Sequence, residues 1–321
     1  MSNLSNKENI NLVVSPITGS RNVKLEDELS SASIIKLYSH NYNLDVRDYF
    51  GNLKSIQIYR CLDTDFRFYF PYTLAGRSEL YESLENYPSY YGLRLEHQLV
   101  KTYFRKGKKV LEVGCGSGFF LESLKKKGLE CIGLELNEDA VRLATDKGLS
   151  VFAQDLIEHT QSNLGQYDIV CSFQVLEHIV DVSKFLRACV DCLKPGGKLI
   201  IVVPNNDPFY KLDKYHTLNL PPHHMGLWNK RSLENLEKFF PIKVDKVFVE
   251  PLQLPVYTSY LQLQIEKWKS QASFLSKLVE FLLLKIRPYR VRGYLQKIVF
   301  SALPNTPSLP GWNVIAIYTR Q

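Results

Sequence analysis

The residues in this chain that could do chemistry are a run of glycines bracketed by acids, two further carboxylates downstream, and a small set of histidines. The glycine run is Leu111-Glu112-Val113-Gly114-Cys115-Gly116-Ser117-Gly118. Glycine at every second position lets a backbone turn tightly and approach a ligand closely. The spacing is G-x-G-x-G, not the G-x-G-x-x-G of dinucleotide sites. A pyrophosphate is held by amides at a helix N-terminus. An acid just before the loop, Glu112, would repel it and suits a ligand carrying positive charge. Glu135 and Asp155 each close a short apolar run. There Glu135 could grip both hydroxyls of a ribose, and Asp155 could accept from an adenine amino group while Leu156 packs on the ring.

The histidines fall in two places. His178 lies in Leu176-Glu177-His178-Ile179, read as the start of a helix. His223 and His224 lie in Leu220-Pro221-Pro222-His223-His224-Met225-Gly226-Leu227-Trp228-Asn229. Imidazoles beside a rigid diproline have the form of a base carried on a semi-rigid lid. The competing reading is that they bond loop backbone, with Glu177 a structural or solvated carboxylate. Adjacent residues seldom point the same way, and no H-x-x-x-H or carboxylate spacing accompanies the pair, so no metal site is expected.

Alternating strands and helices position these groups. Lys109 to Val113, Cys131 to Leu136, Ser150 to Ala153, Tyr167 to Phe173 and Lys198 to Val203 read as strands. Between them come helices Phe119 to Lys127, Glu138 to Lys147 with Asn137 as N-cap, and Val182 to Leu193, each stopped by glycine or by Lys194-Pro195-Gly196-Gly197. Such alternation implies a parallel sheet covered on both faces, with ligands beyond the carboxyl ends of its strands. Trp312 to Tyr318 reads as a closing antiparallel strand. The fold class expected is therefore α/β: a Rossmann-like, doubly wound, seven-stranded sheet, mostly parallel with its last strand antiparallel. The domain reading is an N-terminal aromatic-rich extension (1–103), a core (104–256), a helical insertion (257–303) and the closing strand (304–321).

Composition narrows the class. With 321 residues, 45% hydrophobic and 23% charged, the chain can bury a large core. Its net charge of +7 is concentrated. Between Ile265 and Phe300, eight basic residues, among them Arg287, Arg290 and Arg292, face only Glu266 and Glu280. The rest is nearly neutral, which argues against a general polyanion-binding surface and a nucleic-acid partner. The six cysteines form no disulfide framework, no run approaches a membrane span, and Met1 to Asn11 lacks an apolar signal core, so a cytoplasmic setting is expected.

Taken in order, Leu111 to Phe120, Gly133-Leu134-Glu135, Gln154-Asp155-Leu156, Phe173-Gln174-Val175-Leu176-Glu177-His178-Ile179 and Leu193-Lys194-Pro195-Gly196-Gly197-Lys198-Leu199 resemble the successive motifs of class I S-adenosylmethionine-dependent methyltransferases. The resemblance covers about Lys108 to Phe240. It implies S-adenosylmethionine as cofactor, held by Glu112, Gly114, Cys115, Gly116, Gly118, Glu135, Leu136, Asp155, Leu156 and Gln174. It implies methyl transfer by in-line displacement to a small-molecule, sugar or glycan acceptor, at oxygen or carbon, with His223, His224 or His178 as base. The alternatives are a nucleic-acid or protein methyltransferase, against which the missing Asn/Asp-Pro-Pro-Tyr motif counts, and a cofactor-binding homologue without turnover.

Two outlying segments carry weaker signals. Ser15-Pro16-Ile17-Thr18-Gly19-Ser20 and Cys61-Leu62-Asp63-Thr64 resemble a zinc knuckle pair with one of four cysteines kept, so zinc is not expected there. Phe66 to Tyr91 is dense in aromatics, read mainly as core, with Tyr90-Tyr91-Gly92 similar to a cofactor-capping segment. The basic stretch near 265–300 is amphipathic. It reads as a helical hairpin packing on the domain or on a second subunit, or as a peripheral contact with an anionic membrane surface.

Overall fold

The structure, a computed structural model, describes residues 13–85, 94–207, 213–251 and 311–321. The insertion predicted at 257–303 and Tyr87, Tyr90, Tyr91 and Gly92 lie outside the described residues. Elements up to residue 99 are β1 (Val23–Ser30), α1 (Ser31–Tyr42), α2 (Arg47–Phe50), β2 (Ser55–Cys61), β3 (Arg67–Phe70), α3 (Ser78–Glu85) and α4 (Leu95–Leu99). The following part contains β4 (Lys109–Val113), α5 (Phe119–Lys125), β5 (Glu130–Glu135), α6 (Glu138–Asp146), β6 (Val151–Ala153), α7 (Leu156–Ser162) and β7 (Tyr167–Phe173). Then come α8 (Val182–Cys192), β8 (Leu193–Pro204), β9 (Gly226–Leu227), α9 (Lys230–Glu234), β10 (Ile242–Val249) and β11 (Asn313–Arg320).

The main sheet has seven strands in the order β10-β11-β8-β7-β4-β5-β6. Strands β4 to β8 pair in parallel, and β11 runs antiparallel to both β8 and β10, as the fold class predicts. Successive side chains in a strand face opposite ways, and both faces here are buried. Leu111, Val170, Leu199 and Ile201 enter one core, while Val110, Ile169, Ile200 and Val202 enter the other. Each such aliphatic side chain contributes about 1.5–3 kcal/mol by leaving water. Helix starts follow their predicted caps: Asn137 Oδ1 accepts from Asp139 N and Ala140 N at 2.8 and 3.0 Å.

Two readings are corrected. The Leu176–His178 stretch is a turn, with His178 N donating to Val175 O at 2.9 Å, and the helix starts only at Val182 behind the N-cap Asp181. The N-terminal region, read only as an aromatic-rich extension, forms a second antiparallel sheet in the order β1-β2-β3-β9. In β2 burial does alternate at Ile56 and Ile58, but the acid-rich β1 and the aromatic-rich β3 hide the pattern. The aromatics there are core, as expected: Phe66 packs on Trp228 at 4.1 Å between ring centroids.

The two knuckle-like turns sit at one end of the antiparallel β1–β2 pair, where Val23 pairs with Cys61 and Leu62 N donates to Asn22 O at 2.9 Å. Hydroxyls close them: Ser15 Oγ accepts from Ile17 N and Thr18 N at 3.3 and 3.4 Å, and Thr64 Oγ1 accepts from Phe66 N at 3.3 Å. All six cysteines are free thiols. No helix among the described residues is long and apolar enough to cross a membrane.

Candidate active site

In the main sheet β4 has β5 on one side and β7 on the other, so strand order reverses at β4 and a cleft opens beyond the carboxyl ends there. A cavity of about 1020 Å³ occupies this place. Of the ten residues assigned to the cofactor, nine line it: Glu112, Gly114, Cys115, Gly116, Glu135, Leu136, Asp155, Leu156 and Gln174. Gly118 does not. Its φ of +78° at the start of α5 instead shapes the turn, and a Cβ there would lie 2.4 Å from Leu149 Cδ1.

The loop after β4 is built for close approach, and its first three glycine-loop amides are already spent inside the protein. Gly114 and Gly116 have φ of +70° and +52°, conformations that glycine adopts at no steric cost. Gly114 N and Cys115 N donate to Leu134 O at 2.8 and 3.1 Å, and Gly116 N donates to Glu135 Oε2 at 2.8 Å. The other oxygen of Glu135 accepts from Leu136 N and Asn137 N at 2.8 and 3.0 Å. Glu135 therefore locks the loop to β5 while facing the cavity. Since a carboxylate has about four acceptor sites, it keeps capacity for a ligand hydroxyl.

Glu112 is 3% exposed, and its Oε2 has no hydrogen-bond partner. Burial first, and then the nearby Glu135, push its carboxyl well above the ordinary range. A buried acid without a partner is costly in isolation, and a cationic ligand beside it removes that cost. Asp155 is also the N-cap of α7, its Oδ1 accepting from Ile157 N at 2.7 Å. Gln174 holds φ of +56°, rare for a side-chain-bearing residue, pinned by Gln174 N to Val202 O at 2.9 Å and by Nε2 to Asn313 Oδ1 at 3.1 Å. Backbone strain of this kind clusters at ligand sites.

The same cavity brings together all three candidate histidines. His223 and His224 stack with ring centroids 4.6 Å apart and planes 19° apart, and His178 stands edge-on to both at 4.7 and 4.8 Å. The expectation that these neighbours point apart is corrected. His223 N and His224 N both bond back to Leu220 O, at 3.1 and 3.2 Å, in a tight turn that presents both rings together. Each ring is also held through Nδ1, to His223 O at 2.6 Å for His178, Leu218 O at 2.8 Å for His223 and Asn219 Oδ1 at 3.0 Å for His224. Burial lowers all three pKa values, that of His178 to about 4. They are neutral at pH 7. Glu177 is 1% exposed and, displaced upward by burial to about 8, lies with Oε1 4.0 Å from His224 Nε2.

Glu96 and His97, which no sequence signal marked, also line the cavity, as does Tyr81, expected only as part of the aromatic core. Tyr81 meets His178 edge-on at 5.2 Å, and His97 stacks on Phe120 at 4.7 Å while its Nδ1 accepts from Arg94 N at 2.9 Å. No spacing marks them, because they come from α3 and α4, which reach the site only through tertiary packing.

The family model for the methyltransferase domain matches residues 83–238. The chain carries a class I S-adenosylmethionine-dependent methyltransferase domain. The cavity suits that cofactor: a cationic group would face Glu112, whose Oε2 has no hydrogen-bond partner, and the Gly114, Cys115 and Gly116 amides are already bonded inside the protein. The chain is similar to ubiquinone biosynthesis O-methyltransferases, at 34% identity over 122 residues to that of Sodalis glossinidius, covering 36% of this chain and 49% of the relative. To that of Escherichia coli it is 36% identical over 107 residues, 32% of this chain and 45% of the relative. The chain thus spans about half the length of these relatives. Among solved structures it is similar to a SAM dependent methyltransferase from Archaeoglobus fulgidus, with a TM-score of 0.47 and 23% identity over 70% of this chain and 93% of the other.

Proposed function

We propose that this methyltransferase acts on a hydroxyl oxygen of a small molecule, a sugar or glycan hydroxyl included, with His224 as the base. The observation that carries the reading is the cluster of three neutral imidazoles in the same cavity as the cofactor residues. An alcohol needs help to lose its proton, whereas an amine often does not. Asn219 Oδ1 accepts from His224 Nδ1, which leaves the lone pair of His224 on Nε2, the atom 4.0 Å from Glu177. Burial makes a lone imidazole a poor base. Glu177, pushed up to about 8 by burial, must first lose its own proton to bulk water; when His224 then takes the proton of the acceptor, the Glu177 carboxylate turns the cost of a buried cation into an ion pair. Bound S-adenosylmethionine supplies an electrophilic methyl group and leaves as S-adenosylhomocysteine. Gly114, Gly116 and Gln174 fix where it lies, so positioning carries much of the rate. The similarity to proteins named O-methyltransferases supports oxygen over carbon.

The test incubates full-length protein with S-adenosylmethionine and a panel of phenols, catechols, and free and nucleotide-linked sugars, and reads S-adenosylhomocysteine and methylated product. His224→Gln is expected to lower kcat by about 10²–10⁴-fold with cofactor affinity kept. Methylation confined to amines, or turnover unchanged in His224→Gln, would refute the assignment.

A further inference from the structure

Gln154 directly follows β6, precedes Asp155 and lines the same cavity. Its Oε1 lies 2.9 Å from Nδ1 of His159 in the first turn of α7, and His159 Nε2 lies 2.7 Å from the hydroxyl of Tyr167, the first residue of β7. The three side chains form one run of hydrogen bonds from the interior to the cavity wall, and its direction is set at the inner end. Tyr167 is 0% exposed, and burial raises its phenol, which keeps its proton. A buried hydroxyl has to donate that proton, and the acceptor it meets is His159 Nε2. The lone pair of His159 is therefore on Nε2. Burial, and then Lys109, lower the pKa of His159, so the ring is neutral at pH 7 with its one proton on Nδ1. That proton goes to Gln154 Oε1. With its oxygen so engaged, the planar amide of Gln154 has only its two Nε2 protons to offer the cavity.

We propose that Gln154 is a specificity-determining residue for the cofactor, donating from Nε2 to the ring nitrogen beside the adenine amino group, N1 or N7, with His159 and Tyr167 as the positioning residues that hold its amide the right way round. The neighbouring Asp155 carboxylate can only accept. A donor and an acceptor side by side match adenine, which presents its N6 amino group as a donor next to an unprotonated ring nitrogen. Hypoxanthine and guanine carry an oxygen in place of that amino group, which the Asp155 carboxylate repels. An amide held by nothing turns over at little cost and presents its oxygen, which would face the lone pair of the ring nitrogen. The bond to His159 prevents this, because a turned amide would set Nε2 against the Nδ1 proton. The device acts at the cofactor end and is the same whichever acceptor is methylated.

Calorimetry on the full-length protein tests it, with S-adenosylhomocysteine and its 1-deaza, 3-deaza and 7-deaza analogues, each of which replaces one ring nitrogen by CH. Wild type should bind either the 1-deaza or the 7-deaza analogue about 3–10-fold more weakly than the parent, the loss of one net hydrogen bond. The 3-deaza analogue should bind like the parent. Gln154→Leu, and Gln154→Glu, which keeps an acceptor for His159 and gives up the donor, should bind parent and analogues alike. His159→Phe and Tyr167→Phe should each bring the ratio of parent to analogue toward one. A merely structural role would not move that ratio, since both ligands meet the same protein. Cooperative urea unfolding checks each variant, and where His159→Phe fails to fold, Tyr167→Phe carries that arm. Wild type that binds all three analogues like the parent, an equal loss for all three, or a ratio unchanged in Gln154→Leu overturns the assignment. A ratio lost in Gln154→Leu but kept in His159→Phe and Tyr167→Phe removes the positioning role of those two residues.

Discussion

Gly114 is where the cofactor loop touches the turn that leads to the histidines, and the cost of alanine there has two separable parts. Its φ is +70°, and placing a side-chain-bearing residue in that region costs about 1–2 kcal/mol. A Cβ would also lie 2.4 Å from Val175 Cγ2, an overlap that well-packed sites relieve at about 1–3 kcal/mol. Together Gly114→Ala should cost about 2–5 kcal/mol. Val175→Ala removes the clashing methyl, and the next contact of the added Cβ, to the Cβ of residue 175, is an ordinary 3.6 Å. In that background only the backbone part remains, about 1–2 kcal/mol. The double-mutant cycle should therefore return a coupling of about 1–3 kcal/mol. Urea unfolding followed through tryptophan fluorescence measures each corner, Trp228 being fully buried. Titration with S-adenosylhomocysteine reports whether the loop is displaced. Affinity should fall in Gly114→Ala and recover in the double variant. A coupling below about 0.5 kcal/mol, the size expected of independent sites, would refute the close approach of the two loops.

Other outcomes follow from the buried charges and from the C-terminal segment. Burial, and then the nearby Glu135, raise the Glu112 carboxyl well above the ordinary range, so a cationic ligand that favours its ionised form should release a proton and bind more tightly as pH rises. Calorimetric heats should then depend on the buffer's ionisation enthalpy in wild type and not in Glu112→Gln; identical heats in all buffers for wild type would contradict this. His97, lowered to about 4 by burial and then by Arg94, resists protonation in the fold more than in the unfolded chain. The unfolded chain thus binds more protons between pH 6.5 and 4, and stability is lost as pH falls through that range, at up to about 1.4 kcal/mol per unit. Comparing wild type with His97→Gln between pH 7.5 and 5 isolates this slope, and parallel profiles would show that His97 does not contribute. If the segment 257–303 contacts anionic membranes, the full chain floats with anionic liposomes at low salt and a deletion of that segment does not; equal flotation of both assigns the contact elsewhere.

The cofactor half of the site was legible in the sequence because each of its residues sits at the end of a short strand whose apolar run announces it. Glu112, Glu135 and Asp155 are read one strand at a time, and glycines in the left-handed region can hardly be anything else. What sequence spacing could not show was the second duty of these groups: Glu135 spending three acceptor positions on backbone amides, or Asp155 capping α7. The acceptor half was less legible. His178 lies in a turn and not a helix, and whether His223 and His224 point together depends on two hydrogen bonds to one carbonyl. Pattern carries no information on either. Glu96 and His97 were invisible for the same reason, being brought to the cavity by packing and not by periodicity.

The N-terminal sheet, which sequence pattern hid, explains how three buried imidazoles are held in register. Strand β3 pairs with β9, directly after the histidines, with Arg67 opposite Leu227 and Phe68 opposite Gly226. Tyr69 N donates to Met225 O at 3.0 Å, and Gly76 N to Pro222 O at 2.8 Å, so the histidine segment is bonded to the N-terminal region on both sides. Tyr38 of α1 donates its hydroxyl to Leu220 O at 2.8 Å and receives His223 N at 3.3 Å. On the other side Met225 N and Gly226 N both donate to Glu177 O, at 2.8 and 2.9 Å. That carbonyl belongs to the turn carrying His178. The two histidine-bearing loops are thus tied to each other through the Glu177 carbonyl and through His178 Nδ1 to His223 O, and to the N-terminal region through the bonds of Tyr69, Gly76 and Tyr38. Rigid support of this kind is what a site needs when its groups must meet within fractions of an ångström. It also makes the N-terminal region part of the acceptor machinery: loosening β3, which contributes no side chain to the cavity, should disturb the histidines before it disturbs the glycine loop.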